Sequence, residues 1–323
     1  MRWTIRWWYR YAMLLLPIAV VECAPVRDRP PPMRSTLSRL PTPAELAELW
    51  VDPGDVKGRD LLYGAGGATL APDPNARYEF VSEKFGILSY SRGYTVKDPR
   101  GLKWSVKLGP EAQPEVVASR LIWAAGYHQL PAYYVEHWQL FRDGKGTPQP
   151  GARFRPKLPR VKKRDTWSWQ QNPFVGTRPF SGLIVLMLML DNWDMTTANN
   201  AIYDLREERE GARQWYMVQD VGASFSRLRG RWIDGARGEV EAFARQGFIE
   251  SVNGGRVEFA WPAPHRDLTQ NITADDVHWI AEQLARLSSD QWDDAIRAGG
   301  YTGEQARLLR RTLDARIAQA LRP

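Results

Sequence analysis

The chain has 323 residues, 43% of them hydrophobic and 15 of them Trp, enough to bury a sizeable core. Its single Cys excludes an intramolecular disulfide and a cysteine metal cluster, so stability has to come from packing. Lys and Arg outnumber Asp and Glu by 44 to 37, a net charge of +7, and the nine Lys or Arg against two acids between 142 and 165 carry an equal local excess.

At the N-terminus, Arg2, Arg6 and Arg10 precede an apolar run from Tyr11 to Val21, so residues 1–24 read as a signal peptide or membrane anchor. Val20-Val21-Glu22-Cys23 approximates a lipoprotein processing site, which makes Cys23 a candidate for lipidation. The alternative is an uncleaved or interfacial segment, for which Trp3, Trp7, Trp8, Tyr9 and Tyr11 are suited. The expectation is an exported, periplasmic or membrane-anchored protein. Pro and Arg dominate residues 27–43, and 25–45 is expected to be a linker. Gly64-Ala65-Gly66-Gly67 lacks a flanking strand and helix and reads as a turn rather than a phosphate cradle.

Three strands are expected next: Tyr78–Ser82, Gly93–Lys97 and Leu102–Leu108, the last two joined by the turn Asp98-Pro99-Arg100-Gly101. Period two puts Leu102, Trp104 and Val106 on a core face and Lys103, Ser105 and Lys107 on the other. Lys107 is the candidate cation for phosphates, and small Ser105 leaves room for a base beside it. Gly86 and Gly93 lie between the first two strands. A helix follows over 113–126, with Pro114 in its first turn, Gly126 at its end and Glu115 as its one acid. Glu115 either orients Lys107 or simply favours the helix N-terminus. Glu111 is the reserve.

The basic stretch 142–165 contains Pro and Gly and reads as an insert: either a solvated loop or a patch for anionic lipid headgroups or acidic peptides. Trp167 and Trp169 offer stacking surfaces, but no nucleic-acid-binding signature accompanies them, and nucleic acid is not an expected partner.

The apolar run Ser181–Leu190 reads as a buried helix, too short to span a bilayer, that delivers a loop beginning at Asp191. On that loop Asp194 is followed five residues later by Asn199. Strands over 200–205 and 214–218, turned near Gly211, then lead to Asp220-Val221-Gly222. Antiparallel pairing would bring Asn199 and Asp220 to one end, where two groups could hold magnesium and a third receive a proton. Asp194 could instead cap a turn, and Asp220-Val221-Gly222 could be a strand exit. His265-Arg266-Asp267-Leu268-Thr269-Gln270-Asn271 has an Asp-to-Asn offset of four and follows the metal-type turn instead of preceding it, so it reads as a loop before a helix capped near Thr273. Helical spacing recurs over 276–287, 291–298 and 303–321.

With these residues in place, about 75–310 resembles an atypical member of the protein-kinase-like superfamily, in the style of the HipA, phosphatidylinositol kinase and Golgi casein kinase groups. Protein kinases keep an Asp base and a metal-binding Asn at this five-residue offset, then take a second metal ligand from an Asp-Phe-Gly turn. The resemblance implies an α+β fold of two lobes: a small antiparallel β lobe over 46–140 and a larger, mainly helical lobe over 141–323 that carries the 142–165 insert. It implies ATP and Mg²⁺ or Mn²⁺ between the lobes. Lys107 would contact phosphate, with Ser105 beside it; Glu115 would orient Lys107; Asp194 would be the base; Asn199 and Asp220 would bind metal. Asn192-Trp193 stands where ordinary kinases have His-Arg, Val221 replaces Phe, and no Ala-Pro-Glu follows. The implied activity is phosphotransfer to a hydroxyl on an unknown protein, lipid or glycan. The alternatives are a nucleotide-binding scaffold without chemistry, or nucleotidyl transfer on the same fold.

Overall fold

A computed structural model describes residues 32–84, 91–226, 238–260 and 265–323. The signal-peptide or anchor reading of 1–24, Cys23 and Gly86 fall outside the described residues.

The β part is a seven-stranded sheet made by β2 (Arg77–Lys84), β3 (Gly93–Lys97), β4 (Lys103–Leu108), β5 (Tyr133–Val135), β6 (Trp138–Arg142), β7 (Lys145–Gln149) and β8 (Ala152–Pro156). Its order is β5-β8-β4-β3-β2-β6-β7, antiparallel throughout except where β6 lies parallel to β2. The expected alternation on β4 is present: Trp104 and Val106 enter a core with Tyr78, Val96, Trp138 and Phe154, while Lys103 is exposed on the other face. Segment 145–156, which the sequence reading placed in a basic insert within the helical lobe, supplies two strands of this sheet. Ala152 and Phe154 are fully buried, and Arg153 and Arg155 alternate onto the face of Lys107, opposite Lys107 and Ser105 in register. Flanking Pro and Gly and the density of cations conceal this period-two pattern in the sequence.

One helix, α2 (Ala112–Ala124), packs between this sheet and the helical part. The remaining α+β architecture is mainly helical, as expected, with a small sheet of β9 (Val161–Asp165), β11 (Asn200–Arg209) and β12 (Ala212–Val218). Strand β10 (Gln171–Asn172) leads into α3 (Arg178–Met189), whose start is set by Thr177 accepting from the Phe180 amide and by Pro179 in the first turn. Residues 182–189 of α3 are all buried, which explains why the run is apolar on every side. Beyond it lie α4 (Val240–Ala244), the hairpin β13 (Ile249–Asn253) and β14 (Arg256–Phe259), α5 (Arg266–Thr269), α6 (Ala274–Ala285), α7 (Ser289–Ala298) and α8 (Gly303–Ala320). Reciprocal caps start α6, between Thr273 and Asp276, and α7, between Ser288 and Gln291. Among the described residues no helix is long and apolar enough to cross a membrane.

Two expectations change. Trp167 and Trp169 offer no stacking surface: they are 4% and 1% exposed and pack on each other and on Phe180, because the chain entering α3 uses them to cover the apolar helix. Part of the 25–45 stretch is ordered: β1 (Arg34–Ser35) pairs parallel with β10, and Thr42 and Glu45 form a capping box on α1 (Pro43–Leu46).

The C-terminal end of α3 has its own anchor. Arg316 of α8, 4% exposed, donates to the carbonyls of Met189 at 2.9 Å and Leu188 at 3.3 Å, and to that of Gln246 at 3.1 Å. It also lies 3.9 Å from the buried Asp191 carboxylate, whose backbone is left-handed at φ 53°. These contacts satisfy the helix's last acceptors and fix the exit angle of the loop carrying Asp194. Replacing Arg316 with Leu should destabilise the fold by roughly 3–5 kcal/mol, the usual cost of stripping one partner from a buried ion pair, read as a lower midpoint in chemical denaturation.

Candidate active site

The alternation of β4 and the register with β8 bring Lys107, Arg153 and Arg155 to one face, and the first turn of α2 presents Glu115 to it. Glu115 is completely buried. Its carboxylate lies 3.0 Å from Lys107 Nζ, 2.8 Å from Arg153 Nε and 2.6 Å from Arg155 Nη2. Burial alone would raise its pKa. The fields of Arg153, Lys107 and Arg155 outweigh burial and bring the carboxyl down from 4.5 to about 2.

Lys107 Nζ also lies 2.8 Å from both oxygens of Asp220 and 3.0 Å from Glu111, which in turn accepts from Ser91 at 2.9 Å. Lys107, Arg153 and Arg155 thus face Glu111, Glu115 and Asp220, a one-to-one charge balance that lets them sit together away from water. Of these, Asp220 is the most open, with its side chain 38% exposed. The Asp220 turn is shaped by the Gly222 amide donating to Asp220 Oδ1 at 3.1 Å. A Cβ on Gly222 would lie 2.8 Å from Glu111 Cβ and 3.1 Å from Lys107 Nζ, so no side chain fits there.

The β11–β12 pairing, with Asn200 opposite Val218, closes the other half of the site. The Asn199 carbonyl accepts from the amides of Gln219 at 2.8 Å and Asp220 at 3.0 Å, fixing the Asp220 turn on the Asp194 loop. Asn199 Nδ2 donates to the Asp194 carbonyl at 2.9 Å, and Asn192 Oδ1 accepts from the Asp194 amide at 3.1 Å. Asn192 thus serves as a loop staple, and its own Nδ2 donates to Ser224 Oγ at 3.3 Å. Burial raises the pKa of Asp194; Asn199 opposes this, and the nearby Asp220 charge adds to it. Ser105 lies next to Arg153, which donates to the Ser105 carbonyl at 2.9 Å.

The structure thus brings Lys107, Glu115 and Asp220 into direct contact and sets Asp194 and Asn199 beside them on a hydrogen-bonded loop. Glu111 and Glu115 both hold Lys107, where sequence reasoning kept one in reserve. Sequence reasoning missed Arg153, Arg155 and Ser91. The alternation Ala152-Arg153-Phe154-Arg155-Pro156 was the one signal available for the arginines. His265, dismissed with its motif, opens the short helix α5, and its charge and that of Asp194 act on one another; Asp267 is taken by Gln170 Nε2 at 3.1 Å. Gly64–Gly66 forms one short 3₁₀ turn and Gly67 leads into a second over Ala68–Leu70; a buried Arg120 lies against Gly64 and Tyr133 donates to the Gly67 carbonyl at 3.0 Å, so the segment is a packed turn.

For a divalent cation the available donors are oxygens from Asp220, Asn199 and Asp194, the set that hard ions such as Mg²⁺ and Mn²⁺ take. Among the described residues no group of three or more His, Cys, Asp and Glu forms a metal cage, so water or substrate oxygens would have to complete the shell. Magnesium sites of this type normally have few protein ligands.

No known protein family matches the sequence, and no curated protein does. Among solved structures, the chain is similar to the Helicobacter pylori proinflammatory kinase CtkA, with a TM-score of 0.46 and 12% identity over 77% of this chain and 97% of that one. Similarity of that size assigns no residue a role.

Three measurements follow from the geometry. Gly222→Ala should distort the turn and lower stability by about 1–3 kcal/mol, as overpacking does, seen as a drop in Tm. Because the folded pKa of Glu115 is depressed, its stabilising contribution is complete above pH 4.5 and disappears as the pH falls from there to about 2; acid titration of Glu115→Gln should lack that component. Asp194 has the opposite sign. Its raised pKa makes the ionised form a cost that grows as the pH rises from the unfolded carboxyl range and is complete above the folded pKa, so Asp194→Asn should be stabilised relative to the parent at pH 7 and less so at pH 4.

Proposed function

We propose that the protein is an atypical, kinase-like phosphotransferase that uses ATP with Mg²⁺ or Mn²⁺ and is delivered to or across a membrane by residues 1–24. The observation that carries this reading is the meeting of Lys107 and Asp220, 113 residues apart, at 2.8 Å, with Glu115 behind them and the Asp194–Asn199 loop bonded to the Asp220 turn. An ammonium held by carboxylates needs no ligand for stability alone, but a half-buried ammonium against a half-open carboxylate, beside a second carboxyl of raised pKa, supports a phosphoryl-transfer site.

Lys107 binds the phosphates of the nucleotide, and Glu111 and Glu115 aim it. Asp220 and Asn199 hold the divalent ion, which when bound supplies neutralisation of phosphate charge. Asp194 takes the proton of an attacking hydroxyl. Its raised pKa brings it closer to the working pH, which strengthens a carboxylate as a base. Fixed dipoles of the loop amides and the two arginines cost no reorganisation during transfer. The acceptor is a hydroxyl of a protein, lipid or glycan. Lys162 and Lys163, exposed on β9, suit an acceptor presented at an anionic membrane surface.

Mass spectrometry of the purified protein and of substrate panels, after incubation with ATP and Mn²⁺ or Mg²⁺, tests the reading. The parent protein should produce a phosphorylated product, and Asp194→Asn should lower the rate by about 10²–10⁴-fold while retaining nucleotide binding. Unchanged turnover in Asp194→Asn would remove it as the base. Transfer of an α-phosphate label would identify nucleotidyl transfer instead, and nucleotide binding without product across protein, lipid and glycan panels would identify a scaffold.

A further inference from the structure

In the proposed site, the Lys107–Glu115 pair would ordinarily be taken as the link between helix α2 and the rest of the cleft. The distances point elsewhere. Arg155 Nη2 donates to Glu115 Oε1 at 2.6 Å and, from the same nitrogen, to the carbonyl of Gln219 at 2.9 Å. Gln219 immediately precedes Asp220. One buried guanidinium group therefore spans from α2 to the backbone of the metal-type turn, and it does so from β8, a third element.

Lys107 is poorly placed to be that link during a reaction. Its ammonium is shared among Glu111, Glu115 and Asp220. To bind phosphate it has to loosen these contacts, and Asp220 has to release it to accept a cation. Glu115, fully buried, would then lose part of its compensation unless other charges remained. Arg153 and Arg155 supply them at 2.8 and 2.6 Å. Arg155 is held on its strand by the register with Ser105 and bonds both Glu115 and the Gln219 carbonyl, so it is not free to follow the nucleotide.

We infer that Arg155, and not Lys107, is the residue that joins helix α2 to the Asp220 turn, and that it is a positioning residue for the Asp220 carboxylate. Its consequence for catalysis rests on the phosphotransferase reading; the mechanical connection does not. Glu115 then has two tasks: it keeps Arg155 in place at all times and aims Lys107 when nucleotide is present. Lys107 is left free to move between Asp220 and a phosphate without dismantling the site.

The test compares the full chain with Arg155→Met, Arg155→Lys and Lys107→Met, using amide hydrogen exchange without nucleotide and titration with Mn²⁺ alone. Arg155→Met should speed exchange in peptides covering 217–222 and the first turns of α2 by about tenfold or more, as local opening becomes easier. It should also weaken Mn²⁺ binding by roughly 10- to 100-fold, the usual cost of losing a group that orients a metal ligand. Arg155→Lys, with one ammonium in place of the planar fork, should recover only part of both. Lys107→Met should leave exchange at 217–222 close to the parent and tighten Mn²⁺ binding, since it removes the ammonium that competes for Asp220.

Exchange at 217–222 that is unchanged in Arg155→Met, or that rises as much in Lys107→Met, overturns the inference. Should Arg155→Met fail to fold, the ranking of Arg155→Lys against Lys107→Met decides the question by the same measure. If the exchange pattern appears but no phosphate is ever transferred, the connection stands and the phosphotransferase reading falls. Phosphate transfer without the exchange pattern overturns the connection and leaves the phosphotransferase reading standing.

Discussion

A fully buried carboxylate is the constraint around which this cleft is organised. Glu115 cannot ionise in the interior without close positive charge, and three cations from two adjacent strands converge on it within 3.0 Å. Each of those cations has a further attachment: Lys107 to Glu111 and Asp220, Arg153 to the Ser105 carbonyl, Arg155 to the Gln219 carbonyl. The charge of one helix residue thus dictates where β4, β8 and the Asp220 turn must lie. A hydrophobic residue at the same place could fill the volume but would leave two buried arginines without their adjacent counter-charge.

The helical part positions the opposite wall by a different means. Helix α3 is apolar on all sides and is held by packing, and its polar exit is satisfied by a distant guanidinium, that of Arg316 on the final helix. The loop beyond it is closed by side-chain amides, with Asn192 bonding the Asp194 amide and Asn199 the Asp194 carbonyl. One backbone carbonyl, that of Asn199, then accepts from two successive amides of the turn that ends in Asp220. The geometry of this half depends on neutral hydrogen bonds, whereas in the β half it depends on full charges. The two halves meet where the Lys107 ammonium touches Asp220 and where Arg155 bonds the Gln219 carbonyl.

Much of this arrangement is legible in the sequence because it is periodic or punctuated. The alternation of Leu102 to Leu108 singles out Lys107; Pro114 and Gly126 bracket the helix that holds Glu115; and a charged turn between two β-rich runs announces the hairpin that brings Asn199 to Asp220. The rest is hidden for physical reasons. Arg153 and Arg155 belong to a run so basic that solvent exposure is the natural expectation, and only long-range pairing with Glu115 makes their burial tolerable. Trp167 and Trp169 have the look of exposed stacking groups because nothing local reveals that α3 needs a cover. The parallel pairing of Arg34–Ser35 with Gln171–Asn172 joins segments 137 residues apart and leaves no local trace at all.

The same pair of arginines has a pharmacological consequence. The space behind Lys107, between β8 and α2, is occupied by guanidinium groups engaged with a buried acid. A small molecule that pushed an aromatic or aliphatic group into that region would have to displace them and strand Glu115 without a counterion. A ligand entering the proposed site from the Asp220 side should therefore meet this region better with a compact carboxylate, sulfonate or similar anion at its inner end than with an apolar group.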